Sequence, residues 1–337
     1  MNSNMLNPGD VIGKYIIEKE LGRGNNGVVY LARQRVLDRL VACKILLPEA
    51  MSAPGYTEAF FREARTAALL SHPNVVQALD VGIENGNCFF IMEYVDGIML
   101  EDIRKNTPEQ LTPKFLLNAA IQLAGALEYA WNSRKIIHGD IKPENILIKH
   151  SDQSAKLADL GVARVVGSQN NDEIMATPLY VAPEVITQNN FTDPRSDIYS
   201  FGIMMYELCC GEPPFDGNME DLLNKHIYEI PRPLLQRNPD MNVQMANLVD
   251  RMIAKSPENR PASWCEVKET LITIMQTLEK ESASAHAETL KEENPEEQSK
   301  SFPGWLKMLI AIAAAITACF IFIFFARIFV DLSTSYQ

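Results

Sequence analysis

The stretch IIHGDIKPENILI, residues 136–148, is the most informative part of the sequence. Two apolar runs flank a polar loop that contains Asp140, Lys142 and Asn145. A carboxylate can accept a proton from a hydroxyl group, an amide oxygen can ligate Mg²⁺, and a lysine can neutralise a phosphoryl group during its transfer. The loop therefore favours phosphoryl-transfer chemistry.

A glycine-rich segment, LGRGNNGVV at residues 21–29, lies between two predicted strands. Gly22, Gly24 and Gly27 occur in a GxGxxG pattern, and glycines so placed let backbone N–H groups approach phosphate closely. Taken alone, the pattern fits an ordinary glycine-rich hairpin equally well.

Three further charged residues extend the pattern. Lys44 follows three apolar or small residues of the next predicted strand, and Glu63 lies nineteen residues later on a helical stretch. An ammonium group on a strand needs a carboxylate partner that orients it toward a nucleotide phosphate, and Glu63 could be that partner. Taken alone, Glu63 would be interpreted as a residue on the solvated face of a helix. Asp159, in ADLG at residues 158–161, supplies a second carboxylate for a metal ion.

Hydrophobic periodicity divides the chain into a β-rich first part and a helical second part. It predicts an α+β fold in which a small, mostly antiparallel sheet carries one helix. The predicted strands are 15–21, 28–32, 41–46, 75–81 and 88–92, and the predicted helices are 58–70, 113–131, 196–210, 241–253 and 262–278.

Composition excludes several classes of protein. The formal net charge of −12 argues against a nucleic-acid binder that relies on a basic surface, so no nucleic-acid partner is expected. With 47% hydrophobic and 22% charged residues, the chain is neither disordered nor collagen-like. The six cysteines form no CxxC pair, which argues against a disulfide or zinc framework and fits a reducing compartment.

The C-terminal part predicts a membrane anchor. From Met308 to Ala326 no charged residue occurs, and 19 residues at about 1.5 Å each cross the hydrocarbon core of a bilayer. Trp305, Lys307 and Arg327 are placed as interface anchors, so the predicted helix covers residues 305–327, with a buried core helix as the alternative.

The segments on either side of the predicted membrane span differ from it in composition. Residues 279–304 are acidic and poor in large apolar residues, which predicts a flexible linker, and residues 328–337 form a short tail. The small residues of 311–315 would permit a homodimer through the membrane helix. The first residues contain no apolar signal-peptide region.

Together these motifs resemble a eukaryotic-like (Hanks-type) bacterial serine/threonine protein kinase, in the order and spacing of that family. The resemblance covers residues 12–278 and includes Ala182-Pro-Glu184, which is similar to the family's APE motif. It implies a two-lobed protein kinase fold with an N-lobe at 12–95 and a C-lobe at 96–278, preceded by an arm at 1–11.

The resemblance also implies the site and its ligands. The cofactors would be ATP and Mg²⁺, with Mn²⁺ as an alternative ion, and the substrates would be proteins with Ser or Thr acceptors. Asp140 would be the catalytic base and Lys142 would support the γ-phosphate, while Glu63 would hold Lys44 on the α- and β-phosphates. The other implied contacts are Gly22, Gly24 and Gly27 with phosphate, Leu21, Val29, Ala42, Met92, Glu93, Val95 and Leu147 with adenine, and Asn145 and Asp159 with metal.

Other family contacts are implied away from the nucleotide. Glu184 would pair with Arg260, and Asp197 would accept hydrogen bonds from the backbone of the catalytic loop. Lys142 and Thr177 would contact Asp140, a pattern that points to Ser/Thr rather than Tyr acceptors.

Three departures from the family pattern stand out: Asn26 replaces the usual aromatic residue of the glycine-rich loop, Leu160 replaces the Phe of DFG, and Gly139 replaces the Arg of HRD. That arginine normally pairs with a phosphorylated activation loop. Activity without activation-loop phosphorylation is therefore expected.

Two alternatives stay open. A pseudokinase scaffold that recruits partners to the membrane draws its support from Asn26 and Gly139. A small-molecule phosphotransferase of the aminoglycoside or choline kinase type shares the His-Gly-Asp loop, but that group lacks the APE motif and the lysine two residues after the aspartate.

Since ATP is cytosolic, the kinase domain is expected on the cytoplasmic side of the inner or plasma membrane, with a single membrane pass.

Overall fold

The structure is a computed structural model, in which the contacts divide the chain into two units, residues 1–277 and 278–337. The residues it describes are 6–24, 27–52, 55–159, 164–165, 177–188, 193–293, 308–309 and 312. Asn26 and Leu160, two of the departures from the family pattern, lie outside the described residues.

The first part of the chain forms a six-stranded antiparallel sheet. The strands are β1 (Val11–Ile12), β2 (Tyr15–Arg23), β3 (Gly27–Gln34), β4 (Arg39–Leu46), β5 (Ala78–Glu84) and β6 (Asn87–Glu93). Their order in the sheet is β1-β2-β3-β4-β6-β5. Two helices, α1 (Pro48–Met51) and α2 (Tyr56–Ala68), follow β4. This part confirms the predicted small sheet that carries one long helix.

The two faces of this sheet have different neighbours, because successive side chains of a strand point to opposite faces. Cys43 of β4 is buried on one face in a core that includes Tyr30 and Ile91. The next residue, Lys44, therefore lies on the other face. There Phe60 of α2 packs in a second core that includes Phe90 of β6. The alternation thus places Lys44 on the side of the sheet where α2 lies.

The described residues after Val95 are mainly helical, as predicted. The helices are α3 (Leu100–Asn106), α4 (Pro113–Arg134), α5 (Pro183–Gln188), α6 (Arg195–Cys210), α7 (Met219–Tyr228), α8 (Leu234–Arg237), α9 (Val243–Met252) and α10 (Trp264–Glu293). Short strands β7 (Gly97–Met99), β9 (Ile146–Lys149) and β10 (Ala155–Leu157) form one small sheet, and β8 (Ile136–Ile137) pairs with β11 (Arg164–Val165).

The core of this lobe is built around α6. A Cβ atom added at Gly202 would lie 2.7 Å from Cβ of Met252 and 2.8 Å from Cγ2 of Ile253, so only glycine allows α6 and α9 to approach this closely. The rings of Phe201 and Trp264 meet edge to face at 5.5 Å. These contacts fix α6, whose first turn carries a residue of the site described below.

Two segments differ from the sequence-based predictions. Val75 and Val76, predicted to begin a strand, precede β5 and pair instead with Leu157, whose backbone oxygen accepts from Val76 N at 2.9 Å. Helix α10 continues to Glu293, so residues 279–293 are helical where a flexible linker was predicted. Ala, Glu and Lys in this stretch are strong helix formers, which offsets the acidic self-repulsion on which that prediction was based.

The predicted membrane helix, 305–327, lies outside the described residues except for Met308, Leu309 and Ile312. Among the residues that the structure describes, no helix combines the length and the apolar character required to cross a bilayer.

One buried histidine joins several elements of the helical lobe. His226 of α7 is 0% exposed. Its Nδ1 lies 2.9 Å from the hydroxyl of Tyr199, and its Nε2 lies 3.0 Å from the backbone oxygen of Leu179. Burial, together with the Lys255 ammonium group, lowers the pKa of His226 to about 4.

We predict that acid selectively removes the stability contributed by this histidine. In the unfolded chain a histidine titrates near pH 6.5, so between pH 6.5 and 4 only the unfolded state binds the proton, and lowering the pH favours unfolding. The contribution is complete above pH 6.5 and falls by about 2 to 3 kcal/mol toward pH 4. Urea unfolding of the wild type and of His226→Gln at pH 7.5 and 4.5 measures it. The wild type should lose more stability than the variant, and equal losses would contradict the prediction.

Candidate active site

Strand β4 and helix α2 bring the first two predicted site residues together. Lys44 Nζ donates to Glu63 Oε1 at 2.7 Å and to Oε2 at 2.9 Å, and both side chains are largely shielded from solvent. Asp159 Oδ1 lies 3.7 Å from the same ammonium group. Burial disfavours the charged amine, but the two carboxylates outweigh it and raise the pKa of Lys44. Lys44 is therefore fixed in position, and its charged form is favoured.

Helix α6 holds the catalytic loop, residues 138–145, in place through backbone hydrogen bonds. The buried carboxylate of Asp197 accepts hydrogen bonds from the backbone N–H of His138 at 2.7 Å and of Gly139 at 2.8 Å. Burial raises the pKa of Asp197, against the effect of His138 and of these two donors. Gly139 has a φ of 78°, a conformation that glycine adopts without steric cost. Its substitution for the family's arginine thus suits the local backbone.

Asp140 lies at the centre of a polar cluster within this loop. Its Oδ1 accepts from the Thr177 hydroxyl at 2.5 Å, and its Oδ2 lies 2.7 Å from Lys142 Nζ. Lys142 Nζ also donates to Thr177 Oγ1 at 2.8 Å. Asn145 Nδ2 donates to Asp140 Oδ2 at 3.0 Å. The predicted contacts of Lys142 and Thr177 with Asp140 are therefore present, and the carboxylate has a single defined orientation.

The two predicted metal ligands are joined through the backbone. Ala158 N donates to the backbone oxygen of Asn145 at 2.8 Å, which sets Asp159 beside the catalytic loop. Asp159 has a φ of 56°, in the left-handed region, and its side chain is 47% exposed. Since the Asn145 amide nitrogen donates to Asp140, the amide oxygen is the atom that remains for a cation.

This donor set suits Mg²⁺ bound together with a nucleotide. In the part of the chain that the structure describes, no three His, Cys, Asp or Glu side chains converge on one point. Mg²⁺ in nucleotide sites uses one or two protein oxygens and completes its octahedron with phosphate and water. Asn145 and Asp159, next to Lys44, fit that requirement better than they would fit a metal site made of protein ligands alone.

The glycine-rich loop has one glycine that the sheet requires and two that face open space. A Cβ at Gly27 would lie 2.7 Å from the backbone oxygen of Ile45, which forbids any side chain there. A Cβ at Gly22 would meet nothing within 4 Å, and one at Gly24 would approach only the Gly27 oxygen at 3.9 Å. Gly24 N donates to that same oxygen at 2.9 Å. Gly22 and Gly24 therefore leave room for a phosphate group over the sheet.

Of the residues predicted to contact adenine, Val29, Ala42 and Met92 fall on the same face of the sheet as Lys44. Val29 is paired directly with Lys44, and Ala42 with Met92. Leu147 of β9 is half-buried, and Leu21 of β2 is 39% exposed. These partly open apolar side chains are of the kind that cover a planar ring.

Sequence reasoning missed an ion pair behind the predicted adenine site. Lys156 of β10 is buried, and its Nζ donates to Glu93 Oε2 at 2.8 Å. The chain passes from Glu93 through Val95 into the second lobe. Glu93 N donates to the backbone oxygen of Gln77 at 2.8 Å, so this residue is held at both backbone and side chain. No sequence signal marked Lys156, because a lysine in a short strand is ordinarily solvated.

A second predicted ion pair joins Arg260 to Glu184. Arg260 Nη1 and Nη2 donate to Glu184 Oε1 and Oε2 at 2.7 and 2.9 Å, a two-point contact. The Arg260 side chain is 0% exposed and also donates to the backbone oxygens of Arg195, Ala254 and Lys255. The predicted pairing of Glu184 with Arg260 is confirmed.

Comparisons with known proteins agree with this geometry. The family model described as "Protein kinase domain" matches residues 15–273. The chain is 33% identical over 280 residues to serine/threonine-protein kinase PknB of Mycobacterium tuberculosis, an alignment that covers 80% of this chain and 44% of that protein. It is 34% identical over 255 residues to serine/threonine-protein kinase PrkC of Bacillus subtilis, with 74% of this chain and 39% of that protein covered.

A solved structure described as the apo form of PpkA-294 has a similar fold. It superposes with a TM-score of 0.69 at 26% identity, and the match covers 80% of this chain and 100% of that one. The chain spans less than half the length of the two curated relatives named above.

Proposed function

The chain belongs to the protein kinase domain family, and from that premise we propose that it transfers the γ-phosphoryl group of ATP to Ser or Thr hydroxyls of protein substrates. The observation that carries the proposal is the cluster in which Asp140 is held by Lys142, Asn145 and Thr177. The cluster brings together a carboxylate that would act as the base and a lysine cation that would support the phosphoryl group.

Some of these residues would bind the nucleotide, and others would take part in proton transfer. Lys44, aimed by Glu63, would hold the α- and β-phosphates, and Gly22 and Gly24 would let the loop approach them. Bound Mg²⁺ would neutralise phosphate charge, held by Asn145 and Asp159. Asp140 would orient the acceptor hydroxyl and accept its proton, while Lys142 would stabilise the charge that develops on the group in transfer.

Both alternatives have less support. A pseudokinase scaffold would not need the Lys44–Glu63 pair at 2.7 Å together with an intact Asp140 cluster. A small-molecule phosphotransferase is disfavoured by the contact of Thr177 with Asp140 and by the pairing of Glu184 with Arg260, since Glu184 belongs to the APE motif that such enzymes lack.

The test is incubation of the full chain with γ-labelled ATP, Mg²⁺ and myelin basic protein, followed by phosphoamino-acid analysis. We expect label on serine and threonine that depends on Mg²⁺. Absence of label on protein, with ATP still bound, would favour the scaffold, and label on an aminoglycoside or choline instead would favour the small-molecule enzyme.

We also propose that residues 305–327 anchor the kinase domain to the inner or plasma membrane, with the domain on the cytoplasmic side, where ATP is available. The support is the uncharged run from Met308 to Ala326. Cell fractionation should place the full chain in the membrane pellet, and a chain that ends at residue 304 should leave it. Recovery of both in the soluble fraction would contradict the anchor.

A further inference from the structure

Residues 177–180 form a turn, here named the acceptor turn, that borders the catalytic cluster. Tyr180 N donates to the backbone oxygen of Thr177 at 3.1 Å and closes it. The Thr177 hydroxyl at its start donates to Asp140, and the Tyr180 hydroxyl at its end donates to the buried Glu207 Oε2 at 2.7 Å. The turn therefore lies next to the carboxylate that the proposed acceptor hydroxyl has to reach.

A third contact holds the middle of the acceptor turn. The backbone oxygen of Leu179 lies 3.0 Å from Nε2 of His226. A carbonyl oxygen can only accept, so Nε2 must carry the hydrogen, and Nδ1 must accept from the hydroxyl of Tyr199 at 2.9 Å. Both ring nitrogens are thus used, and the chemistry of the partners selects one neutral tautomer.

His226 also has an unusual place in its own helix. It is the buried residue of α7, whose ten residues are otherwise exposed or half-buried. An apolar side chain would anchor α7 equally well but would leave the Leu179 oxygen and the Tyr199 hydroxyl without this partner, at a cost in free energy. Lys255 Nζ donates to the His226 backbone oxygen at 2.8 Å, so its charge lies beside the ring and further favours the neutral form. The arrangement serves a directed hydrogen bond rather than packing alone.

We propose that His226 is a positioning residue for the protein substrate: by donating to Leu179 it fixes the acceptor turn against the catalytic cluster. This rests on the proposed function, because the turn matters for transfer only if a protein hydroxyl binds beside it. Displacement of a positioning element by about 1 Å can cost about 100-fold in a reaction rate. The effect should appear with the protein substrate and spare the nucleotide, since Lys44 and the glycine-rich loop belong to the other lobe.

The kinetic test compares four variants of the full chain, with myelin basic protein as the probe. His226→Phe keeps a ring but donates nothing, and His226→Asn has an amide too short to reach Leu179, whereas His226→Gln can place an N–H where Nε2 lies. Tyr199→Phe is the matched control, because it removes a partner of His226 and leaves the Leu179 contact. We expect the KM for protein to rise at least tenfold in the Phe and Asn variants and to stay within threefold of wild type in the other two. The KM for ATP should stay within twofold throughout.

Amide hydrogen exchange provides a readout that needs no activity. The Tyr180 amide should exchange at least tenfold faster in the Phe and Asn variants than in wild type, while the Gln variant stays close to wild type. The proposal is overturned if the folded Asn or Phe variant keeps the wild-type KM for protein, if both KM values rise together, or if Gln performs no better than Asn. If wild type labels no protein at all, the proposed function fails, and the exchange rates alone then decide whether His226 fixes the turn.

Discussion

Replacement of Asp140 by Asn is expected to reduce phosphoryl transfer to protein about 1,000-fold, within the range that a general base contributes. Asn has nearly the same shape as Asp but cannot accept the proton of the acceptor hydroxyl. It also loses the charge that holds Lys142 at 2.7 Å. The proposed contacts with ATP lie on other residues, so nucleotide affinity should change less than threefold. Label transfer and ATP titration on the same sample measure both quantities.

Asp38→Asn is the matched control for this variant. This substitution makes the same chemical change at an exposed position of a hairpin. Asp38 has a φ of 47°, a conformation that Asn tolerates well. The substitution should leave transfer unchanged. If Asp140→Asn keeps more than a tenth of the wild-type rate, Asp140 is not the base, and the proposed role is wrong.

Replacement of Arg260 by Met is expected to cost about 3 to 5 kcal/mol of stability, the range for removal of one partner of a buried ion pair. The guanidinium group is 0% exposed, and its loss leaves the Glu184 carboxylate and three backbone oxygens without their donor. Domains are stable by only about 5 to 15 kcal/mol, so much of the variant should be unfolded or insoluble at 37 °C. Soluble yield and Tm are the measurements.

Arg237→Met is the control for Arg260. Arg237 pairs with Glu212, whose side chain is 68% exposed, and exposed pairs contribute at most about 1 kcal/mol. The variant should therefore retain the wild-type yield. A loss at Arg260 no larger than the loss at Arg237 would show that the Glu184 pair does not stabilise the lobe.

Much of the site could be anticipated because its residues are close in sequence. Asp140, Lys142 and Asn145 lie within one loop, and strand alternation places Lys44 on the face of the sheet opposite the buried Cys43. The contact of Glu184 with Arg260 spans 76 positions and was available only through the family resemblance. Lys156–Glu93 and His226–Leu179 had no such guide, since nothing local distinguishes a buried lysine or histidine from a solvated one.

The errors in the fold come from tertiary contacts and from an underestimate of local helix propensity. Val75 and Val76 read as a strand because they are apolar and β-branched, but their partner is Leu157 of the second lobe rather than β6. Helix α3 was not predicted because it is only seven residues long, and α7 was not predicted because it buries His226 rather than an apolar stripe. Residues 279–293 were judged by net charge, whereas their helix propensity prevails.

The pairing of the buried Lys156 with the half-buried Glu93 has a consequence for how related chains can differ. Loss of Glu93 would leave the buried Lys156 ammonium group without its partner, whereas replacement of both residues by apolar ones of similar volume is often neutral. Evolution should therefore treat the two positions as one unit. Among divergent relatives, chains that retain the lysine should retain the glutamate, and the single mismatches should be rare or compensated by a nearby charge.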